Sequence, residues 1–412
     1  MSIRRLTDCL LAVIFVVAIS VPLVGQLSGI SKPSTELTEN RRAAPLPKLA
    51  VRWHGPLCVP RKGSLVDFPS KFEAYYNDHL GFRRQLVQGY NLAKLKGLTS
   101  ASLGGPGVGQ RAGCPVIVGR EGWLYFSGER SVESYRGTAP FTEREMAEWA
   151  RVLGERRAWL RQRGIEYLVV IAPDKPTIYP EFLPRAMNRV SETSRLDQLL
   201  AYLKRHDGVE LVDLRSELTA AKATYPTYYR TDTHWNCYGA FLGYQKIGER
   251  LAERFRCATP KSLGDFTVDV HEGPGLDIVT MLDAPCDLQD TYVDLQPRQP
   301  FEATITQVAA EAGARECRVS ENPAAPPGRC VVIHDSFFLN AIPYFAEHWR
   351  HAAYVWTFDF PAEMIERERP QVVVQEIVER KLFLRPQNPS QLSTPLPPAQ
   401  LAREPHDDPS TR

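Results

Sequence analysis

Five short segments of continuous apolar residues limit the fold of this chain more than any other sequence feature. They lie at 167–173, 209–214, 330–333, 353–358 and 372–377. Strands without polar alternation are typical of parallel sheets whose two faces are both covered by helices. Helical patterns separate most of these segments, at about 141–163, 195–205, 239–256 and 362–369. The alternation predicts an α/β fold with a doubly wound parallel sheet.

Two regions depart from the alternation of strand and helix. Residues 258–329 are rich in Gly, Pro and Asp and contain a strand-like run at 301–308. We interpret them as an irregular β-containing insertion within one domain, which we place at 67–385. Residues 386–412 are rich in Pro, Gln, Ser and Asp and lack aliphatic periodicity, which predicts a disordered tail.

The N-terminal residues indicate export. Residues 9–27 are uncharged and largely apolar, and Arg4 and Arg5 precede them. About 20 such residues cross a bilayer as a helix, and the arginines favour a cytoplasmic location for residues 1–8. A cleaved signal peptide is the alternative, although no clear Ala-x-Ala site follows the apolar run. We predict an uncleaved transmembrane anchor, followed by a Pro-rich lead-in at 28–66.

Cysteine content and charge narrow the class of protein. The chain has 8 cysteines, and one of them, Cys9, lies in the predicted anchor. No pair has Cys-x-x-Cys spacing, so a zinc or thioredoxin-like site is not predicted. Disulfides are expected in an oxidising compartment, with the pairing left open. A net charge of +2, with 50 basic and 48 acidic residues, does not indicate nucleic-acid binding.

Three residues carry the chemistry that we predict. Asp232-Thr233-His234 places a carboxylate and an imidazole two residues apart, and Ser336 follows the apolar run at 330–333. A serine hydroxyl becomes an effective nucleophile when a base removes its proton, and a carboxylate orients that base. Ser336 should lie at the carboxyl edge of the sheet, where α/β active sites are found. We therefore predict a triad of Ser336, His234 and Asp232.

Each of these residues has an alternative interpretation. Ser336 or Asp232 alone could cap a helix, and His234 alone could be a histidine with loop partners. His334, two residues before the serine, is a second candidate base, without a carboxylate evidently placed to orient it. Asp232, His234 and His334 could instead ligate a metal, but no further ligand with recognisable spacing accompanies them.

Several separated motifs resemble the alginate O-acetyltransferase family, which are SGNH-hydrolase-like periplasmic proteins that acetylate exopolysaccharides. The resemblance extends over about residues 36–382, and the motifs occur in the same order as in the family. They are Gly119 to Tyr125, Ala172 to Pro176 with Tyr179 to Glu181, Asp232 to Asn236 with Gly239, Asp335 to Phe337, and Val372 to Glu376 with Glu379 and Arg380.

The resemblance implies an SGNH-like fold and a role for each triad residue. Ser336 would be the nucleophile, His234 the general base and Asp232 the carboxylate that orients it. Where ordinary SGNH enzymes have Gly-Asp-Ser, this chain has His334-Asp335-Ser336. The side-chain oxyanion donor is left open, with Asn236 and Asn340 as candidates. Lys175 and Trp123 are interpreted as structural rather than substrate-binding residues.

The resemblance also implies a reaction and its partners. We expect a periplasmic, inner-membrane-anchored O-acetyltransferase that acts without a cofactor or metal. An acetyl group from a multispanning membrane acyltransferase would pass through acetyl-Ser336 to a hydroxyl of an exopolysaccharide such as alginate. The alternatives are a polysaccharide acetyl esterase and a non-catalytic polysaccharide-binding assembly subunit.

Overall fold

The computed structural model describes residues 115–389 apart from 207, 283–287 and 312, together with Leu392 and parts of the chain between residues 13 and 89. The predicted cytoplasmic segment 1–8, most of the predicted anchor 9–27 and residues 393–412 of the predicted tail lie outside the described residues. Within the described part, no helix combines the length and the apolar character needed to span a membrane.

The chain divides into two compact units. The first comprises Met1–Val118 and Leu276–Leu288. Its described elements are two antiparallel strand pairs, Glu36–Leu37 with Arg41–Arg42 and Val51–His54 with Leu57–Pro60, the helices Lys62–His79 and Asp277–Leu282, and the strand Val116–Val118. The helix Lys62–His79 begins inside the segment that we predicted as lead-in.

The second unit comprises Gly119–Gly275 and Gln289–Arg412 and contains all three predicted triad residues. Its strands in chain order are β1 (Leu124–Phe126), β2 (Glu166–Ala172), β3 (Leu211–Asp213), β4 (Phe266–Pro274), β5 (Gln289–Pro297), β6 (Thr304–Val308), β7 (Glu316–Glu321), β8 (Arg329–His334), β9 (His351–Trp356) and β10 (Val372–Val378).

The α-helices of this unit are α1 (Ser131–Arg136), α2 (Glu143–Arg161), α3 (Lys175–Ile178), α4 (Arg195–Arg205), α5 (Arg215–Ala221), α6 (Cys237–Ala252), α7 (Ile342–Ala346) and α8 (Ala362–Glu368). Short 3-10 turns lie at Pro180–Phe182, Arg256–Ala258, Leu263–Asp265, Ser336–Asn340 and Glu379–Phe383. All five apolar segments therefore contain strands, and helices occupy the predicted intervals.

The main sheet has seven strands in the order β6-β7-β9-β8-β10-β2-β3. The five strands from β9 to β3 are parallel, whereas β7 is antiparallel to β9 and β6 is antiparallel to β7. The α/β prediction is confirmed, but the prediction of an all-parallel sheet is wrong at one edge. The two antiparallel strands, β6 and β7, belong to the insertion 258–329. They pair antiparallel because a short connection such as theirs cannot make the crossover that parallel neighbours need.

Apolar packing covers the faces of the central strands. Alternate residues of β2, β8 and β10, including Val169, Val331 and Val373, belong to one buried cluster with side chains of α2 and α4. Their neighbours Val170, Val332 and Val374 are also fully buried, and alternation along a strand places these on the opposite face. Both faces of the central strands are therefore covered by apolar side chains. The ends of these strands are the places left for polar side chains of a site.

The remaining strands of the insertion form a separate hairpin. β4 and β5 pair antiparallel from Phe266 opposite Pro297 to Pro274 opposite Gln289. β4 is mostly exposed, whereas Asp290, Val293 and Leu295 of β5 are buried. The hairpin therefore brings a buried carboxylate, Asp290, into the unit that contains the triad residues.

Four cysteines in the described part of the chain, Cys237, Cys257, Cys317 and Cys330, are free thiols. The other four lie outside the residues whose side chains the structure describes. Since Cys9 lies in the predicted anchor, the disulfides expected from the sequence stay a prediction that concerns Cys58, Cys114 and Cys286.

Candidate active site

Ser336 lies where β8 ends, at the carboxyl edge of the parallel strands. β8 ends at His334, and Ser336 opens the 3-10 turn Ser336–Asn340. The cap of this turn is Asp335, whose Oδ1 accepts a hydrogen bond from the Phe337 N–H at 2.9 Å. Since Asp335 performs the capping, the interpretation of Ser336 as a cap is wrong, and its hydroxyl is available for another partner.

The structure brings the three predicted triad residues together. His234 Nε2 lies 2.7 Å from Ser336 Oγ, and His234 Nδ1 lies 2.7 Å from Asp232 Oδ1. An ionised carboxylate only accepts hydrogen bonds, so Nδ1 carries the proton and Nε2 is left to accept from the serine hydroxyl. The side chains of His234 and Asp232 are 23% and 15% exposed. The imidazole therefore contacts both partners while part of it faces solvent.

The loop that carries Asp232 is held from two sides by buried groups of opposite charge. Lys175 Nζ donates to the carbonyl oxygens of Tyr229 at 3.1 Å, Arg230 at 3.1 Å and Asp232 at 2.5 Å. Asp290 accepts from the amides of Arg230 at 2.9 Å and Thr231 at 2.7 Å. Hydrogen bonds to charged groups are stronger than neutral ones. Lys175 and Asp290 together fix the backbone from which Asp232 projects.

We expect Lys175→Met to lower kcat for the reaction at Ser336 about 100-fold. Without the lysine the loop that carries Asp232 can shift, and a displacement of about 1 Å at a reacting group lowers the rate by that factor. The free energy of unfolding should also fall, and thermal melting measures that effect separately. The matched control is Lys222→Met, since Lys222 Nζ likewise donates to a carbonyl, that of Ile178 at 2.7 Å. If the two variants had the same kcat, Lys175 would not position the triad.

Trp235 ties the histidine loop to the serine turn. Its indole N–H donates to the Phe337 carbonyl at 2.7 Å, and the side chain is fully buried. Gly239, within the first turn of α6, allows this arrangement because a Cβ there would lie 2.1 Å from the Thr227 carbonyl oxygen. The sequence motif that contains both residues is therefore a packing requirement of the site.

Asn236 is not an oxyanion donor. Its Oδ1 accepts from the Gly239 N–H at 2.9 Å as the cap of α6, and its Nδ2 donates to the Pro226 carbonyl at 2.6 Å. The side chain is fully buried. Asn236 is thus the N-cap of α6, so the alternative in which Asp232 caps this helix is wrong. Asn340, at the end of the 3-10 turn, is half-buried and is the remaining side-chain candidate.

Trp123 is buried within an aromatic stack. Its ring lies 4.4 Å from Tyr179 and 4.7 Å from Phe182, centroid to centroid. Lys175 Nζ lies 5.7 Å from the centroid of the same ring. Trp123 therefore packs beside Lys175, the residue that donates to the loop that carries Asp232.

His334 does not assume the role of base. Its ring is buried, and its Nδ1 lies 2.6 Å from the Asp335 carbonyl oxygen, to which it donates. Burial lowers the pKa of His334, which favours the neutral ring. Because His234 uses both ring nitrogens within the triad, the combination of Asp232, His234 and His334 as metal ligands is not supported either.

A cluster of buried charges behind the site was not recognised from the sequence. Arg380 donates to the Asp174 carboxylate and to Glu129 Oε2, the latter at 3.0 Å. Glu379 Oε2 accepts from the Asp174 N–H at 3.1 Å and from the Thr177 hydroxyl at 2.7 Å. Burial, followed by repulsion from Asp174, raises the pKa of Glu379 to about 7. The sequence signals were the motif Ala172 to Pro176, which contains Asp174, and the Glu379-Arg380 pair that follows an apolar strand.

The raised pKa of Glu379 predicts a pH-dependent stability. A carboxyl with a raised pKa in the folded state stabilises the fold at low pH, and this contribution is lost as pH rises from about 4.5 to about 7. Over that range Glu379→Gln should gain stability relative to the original chain, by at most about 3 kcal/mol. Denaturant unfolding at several pH values measures the difference, and a pH-independent difference would contradict the assignment.

Comparison with known proteins finds a described family that resembles part of this chain. Residues 116–319 match the family described as ALGX, an SGNH hydrolase-like domain of the acetyltransferase AlgX. This stretch, which is about half of the chain, is therefore similar to an SGNH hydrolase-like domain. The matched stretch includes Asp232 and His234 and ends before Ser336. The predicted SGNH-like α/β fold is thereby confirmed.

Curated relatives of this SGNH-like chain carry the name "Probable alginate O-acetylase AlgJ". The protein from Pseudomonas aeruginosa is 30% identical over 182 residues, which are 44% of this chain and 42% of the relative. The protein from Azotobacter vinelandii is 28% identical over 169 residues, 41% of this chain and 39% of the relative. The matches thus span less than half the length of these relatives.

Solved structures of similar proteins include the O-acetyltransferase domain of Pseudomonas putida AlgJ, with a TM-score of 0.45 and 20% identity. That match covers 70% of this chain and 97% of the other. Bacillus cereus PatB1 with a sulfonyl adduct has a TM-score of 0.49 and 18% identity, covering 65% of this chain and 95% of the other.

Proposed function

We propose that this SGNH-like chain is an O-acetyltransferase that transfers acetyl groups to hydroxyls of an exported polysaccharide through acetyl-Ser336. The observation that carries the proposal is the continuous hydrogen-bonded series from Asp232 through His234 to Ser336. The similarity to relatives named alginate O-acetylases supports the choice of an acetyl group and of a polysaccharide acceptor.

In the first half-reaction, His234 Nε2 accepts the hydroxyl proton as Ser336 Oγ attacks the carbonyl carbon of an acetyl donor. Asp232 keeps the proton on Nδ1 and stabilises the imidazolium that forms. The tetrahedral intermediate collapses when the donor's leaving oxygen takes the proton from His234. The products are acetyl-Ser336 and the deacylated donor.

In the second half-reaction, a sugar hydroxyl takes the place of the leaving group. His234 Nε2 accepts its proton as the oxygen attacks the acetyl carbonyl of acetyl-Ser336, and then returns that proton to Ser336 Oγ. The negatively charged oxygen of each intermediate needs hydrogen-bond donors, and one such donor is worth about 3 kcal/mol of barrier. Since the Phe337 N–H is used by Asp335, we propose Asn340 as the side-chain donor.

The setting of the reaction is also part of the proposal. We propose a periplasmic location with an inner-membrane anchor at residues 9–27, and acetyl delivery by a multispanning membrane acyltransferase. The uncharged apolar run and the preceding arginines support the anchor. Alginate is the acceptor suggested by the names of the relatives, which this chain matches over less than half their length.

Acetyl transfer can be distinguished from ester hydrolysis by a single assay. The protein is incubated with an activated acetyl ester, with and without oligosaccharides of alginate and of a neutral glucan, and acetylated sugar is measured by mass spectrometry. We expect sugar acetylation and faster consumption of the ester when the proper acceptor is present. Release of acetate alone, at a rate that no sugar changes, would identify an esterase instead.

A further inference from the structure

Behind the serine turn, a second carboxyl group contacts Asp335. Glu376 of β10 is buried, and its Oε2 accepts a hydrogen bond from the Asp335 N–H at 3.1 Å. In the described part of the chain, no group donates a hydrogen bond to its other oxygen, Oε1, although that atom is buried as well. An ionised carboxylate that lacks a donor in such a place is unfavourable.

We propose that Glu376 is a neutral carboxylic acid whose O–H donates a hydrogen bond to the Asp335 carboxylate and thereby positions the Ser336 turn. Glu376 touches neither substrate nor Ser336 Oγ in this account, so it is a positioning residue. Glu376 would thus give a pH-sensitive support to the nucleophile Ser336, a role that rests on the proposed function.

Asp335 is the group through which Glu376 would act. Its Oδ1 accepts from the Phe337 N–H at 2.9 Å, and its Oδ2 accepts from the Val378 N–H at 2.9 Å. These bonds join the turn that begins with Ser336 to the end of β10. A proton shared between the two carboxyl groups would hold both in contact, whereas two ionised carboxylates in one buried site repel each other.

The surroundings of Glu376 favour its protonated form. Burial, followed by repulsion from Asp335, raises the pKa of Glu376 well above its ordinary value, and Arg380 opposes this shift. The charged groups that face the pair are Asp335 itself, Arg380 and Lys381 from the turn after β10, and Asp174 from the loop after β2. β9 and the loop after it contribute the uncharged Trp356, Thr357 and Phe358.

A cavity of about 110 Å³ gives the acid pair a route for proton exchange. Asp335 and Glu376 line it together with Trp356, Phe358 and Lys381. Because the pKa is raised, the proton is retained at pH values at which an ordinary carboxyl group has lost it, and it is lost as pH rises further. The reactivity of Ser336 should therefore fall on the alkaline side as the two carboxylates separate.

The test compares Glu376→Gln and Glu376→Met with the original chain and with Glu316→Gln, which alters an acid on β7. The rate at which a sulfonyl fluoride labels Ser336 is measured against pH, since labelling requires neither donor nor sugar. We expect the original chain and Glu316→Gln to lose reactivity at alkaline pH, and Glu376→Gln, whose amide donates but does not ionise, to keep it. Glu376→Met should be about 10-fold slower at every pH, with KM for an acetyl ester unchanged.

Infrared spectroscopy provides a readout that does not depend on activity. Glu379, with a pKa raised to about 7, also contributes protonated carboxyl at neutral pH. The original chain should therefore show a protonated-carboxyl band whose intensity falls in Glu376→Gln and is unchanged in Glu316→Gln. The proposal is overturned if the band is unaffected, or if Glu376→Gln shows the same alkaline loss as the original chain. If the labelling rates and the carboxyl band behave as expected but the protein transfers no acetyl group to a sugar, the proposed function is wrong and the role of Glu376 is not.

Discussion

Ser336→Ala is expected to lose about 10⁴- to 10⁶-fold in kcat for acetyl transfer while its thermal melting stays close to that of the original chain. The loss follows because Ser336 Oγ, 2.7 Å from His234 Nε2, is the atom that would form the covalent bond. His234→Ala should lose a similar factor, and the double variant should be no slower than either single one. Residues that act as one unit show this non-additivity. Initial rates with an activated acetyl ester and an acceptor oligosaccharide provide the measurement.

Ser320→Ala is the matched control for this prediction. Ser320 lies on β7 of the same sheet, is fully buried, and its hydroxyl lies 3.3 Å from the Tyr354 hydroxyl. The Ser320→Ala variant should slightly lower the free energy of unfolding and leave kcat for acetyl transfer unchanged. Additive losses in the double variant of Ser336 and His234 would mean that the two side chains contribute independently, which contradicts a shared proton transfer.

Asp232→Asn is expected to lower kcat about 10⁴-fold with the fold intact. Asp232 Oδ1 accepts from both the backbone N–H of His234, at 3.0 Å, and its Nδ1, at 2.7 Å. An amide at this position can donate to Nδ1, which places the imidazole proton on Nε2 and removes the base that faces Ser336. Steady-state kinetics should show the loss in kcat with little change in KM.

The control for Asp232→Asn is Asp213→Asn. Asp213, at the end of β3, also orients a neighbouring side chain, since its Oδ2 lies 2.7 Å from Arg215 Nη2. We expect this variant to keep kcat and to lose only stability. A similar small effect in both variants would show that the Asp232 carboxylate does not set the tautomer of His234.

The parts of the fold that could be predicted are those with local signatures. Val169 to Ile171 and Val331 to Ile333 are continuous apolar strands in the sequence and fully buried strands in the structure. The spacing of Asp232 and His234, the position of Ser336 just after a buried strand and the resemblance to a family selected three residues that lie within hydrogen-bond distance in the structure. Each of these features depends on a few neighbouring residues or on the general rule that parallel strands end at one edge.

The parts that could not be predicted depend on contacts between distant segments. The antiparallel pairing of β7 with β9 follows from where the insertion meets the sheet edge, which its composition does not encode. Lys175 donates to three carbonyls more than 50 residues away, and Asp290 accepts amides about 60 residues away. A lone lysine or aspartate has no periodicity that would indicate such a role.

The most direct measurement is a trapped acyl intermediate. The chain is mixed with a labelled acetyl ester in the absence of sugar, quenched in acid within one turnover, digested and analysed by mass spectrometry. We expect one labelled acetyl group on the peptide that contains Ser336, absent from Ser336→Ala, and its loss when an acceptor oligosaccharide is added before quenching. Sugar acetylation at an undiminished rate without label on that peptide, or with Ser336→Ala, would contradict it.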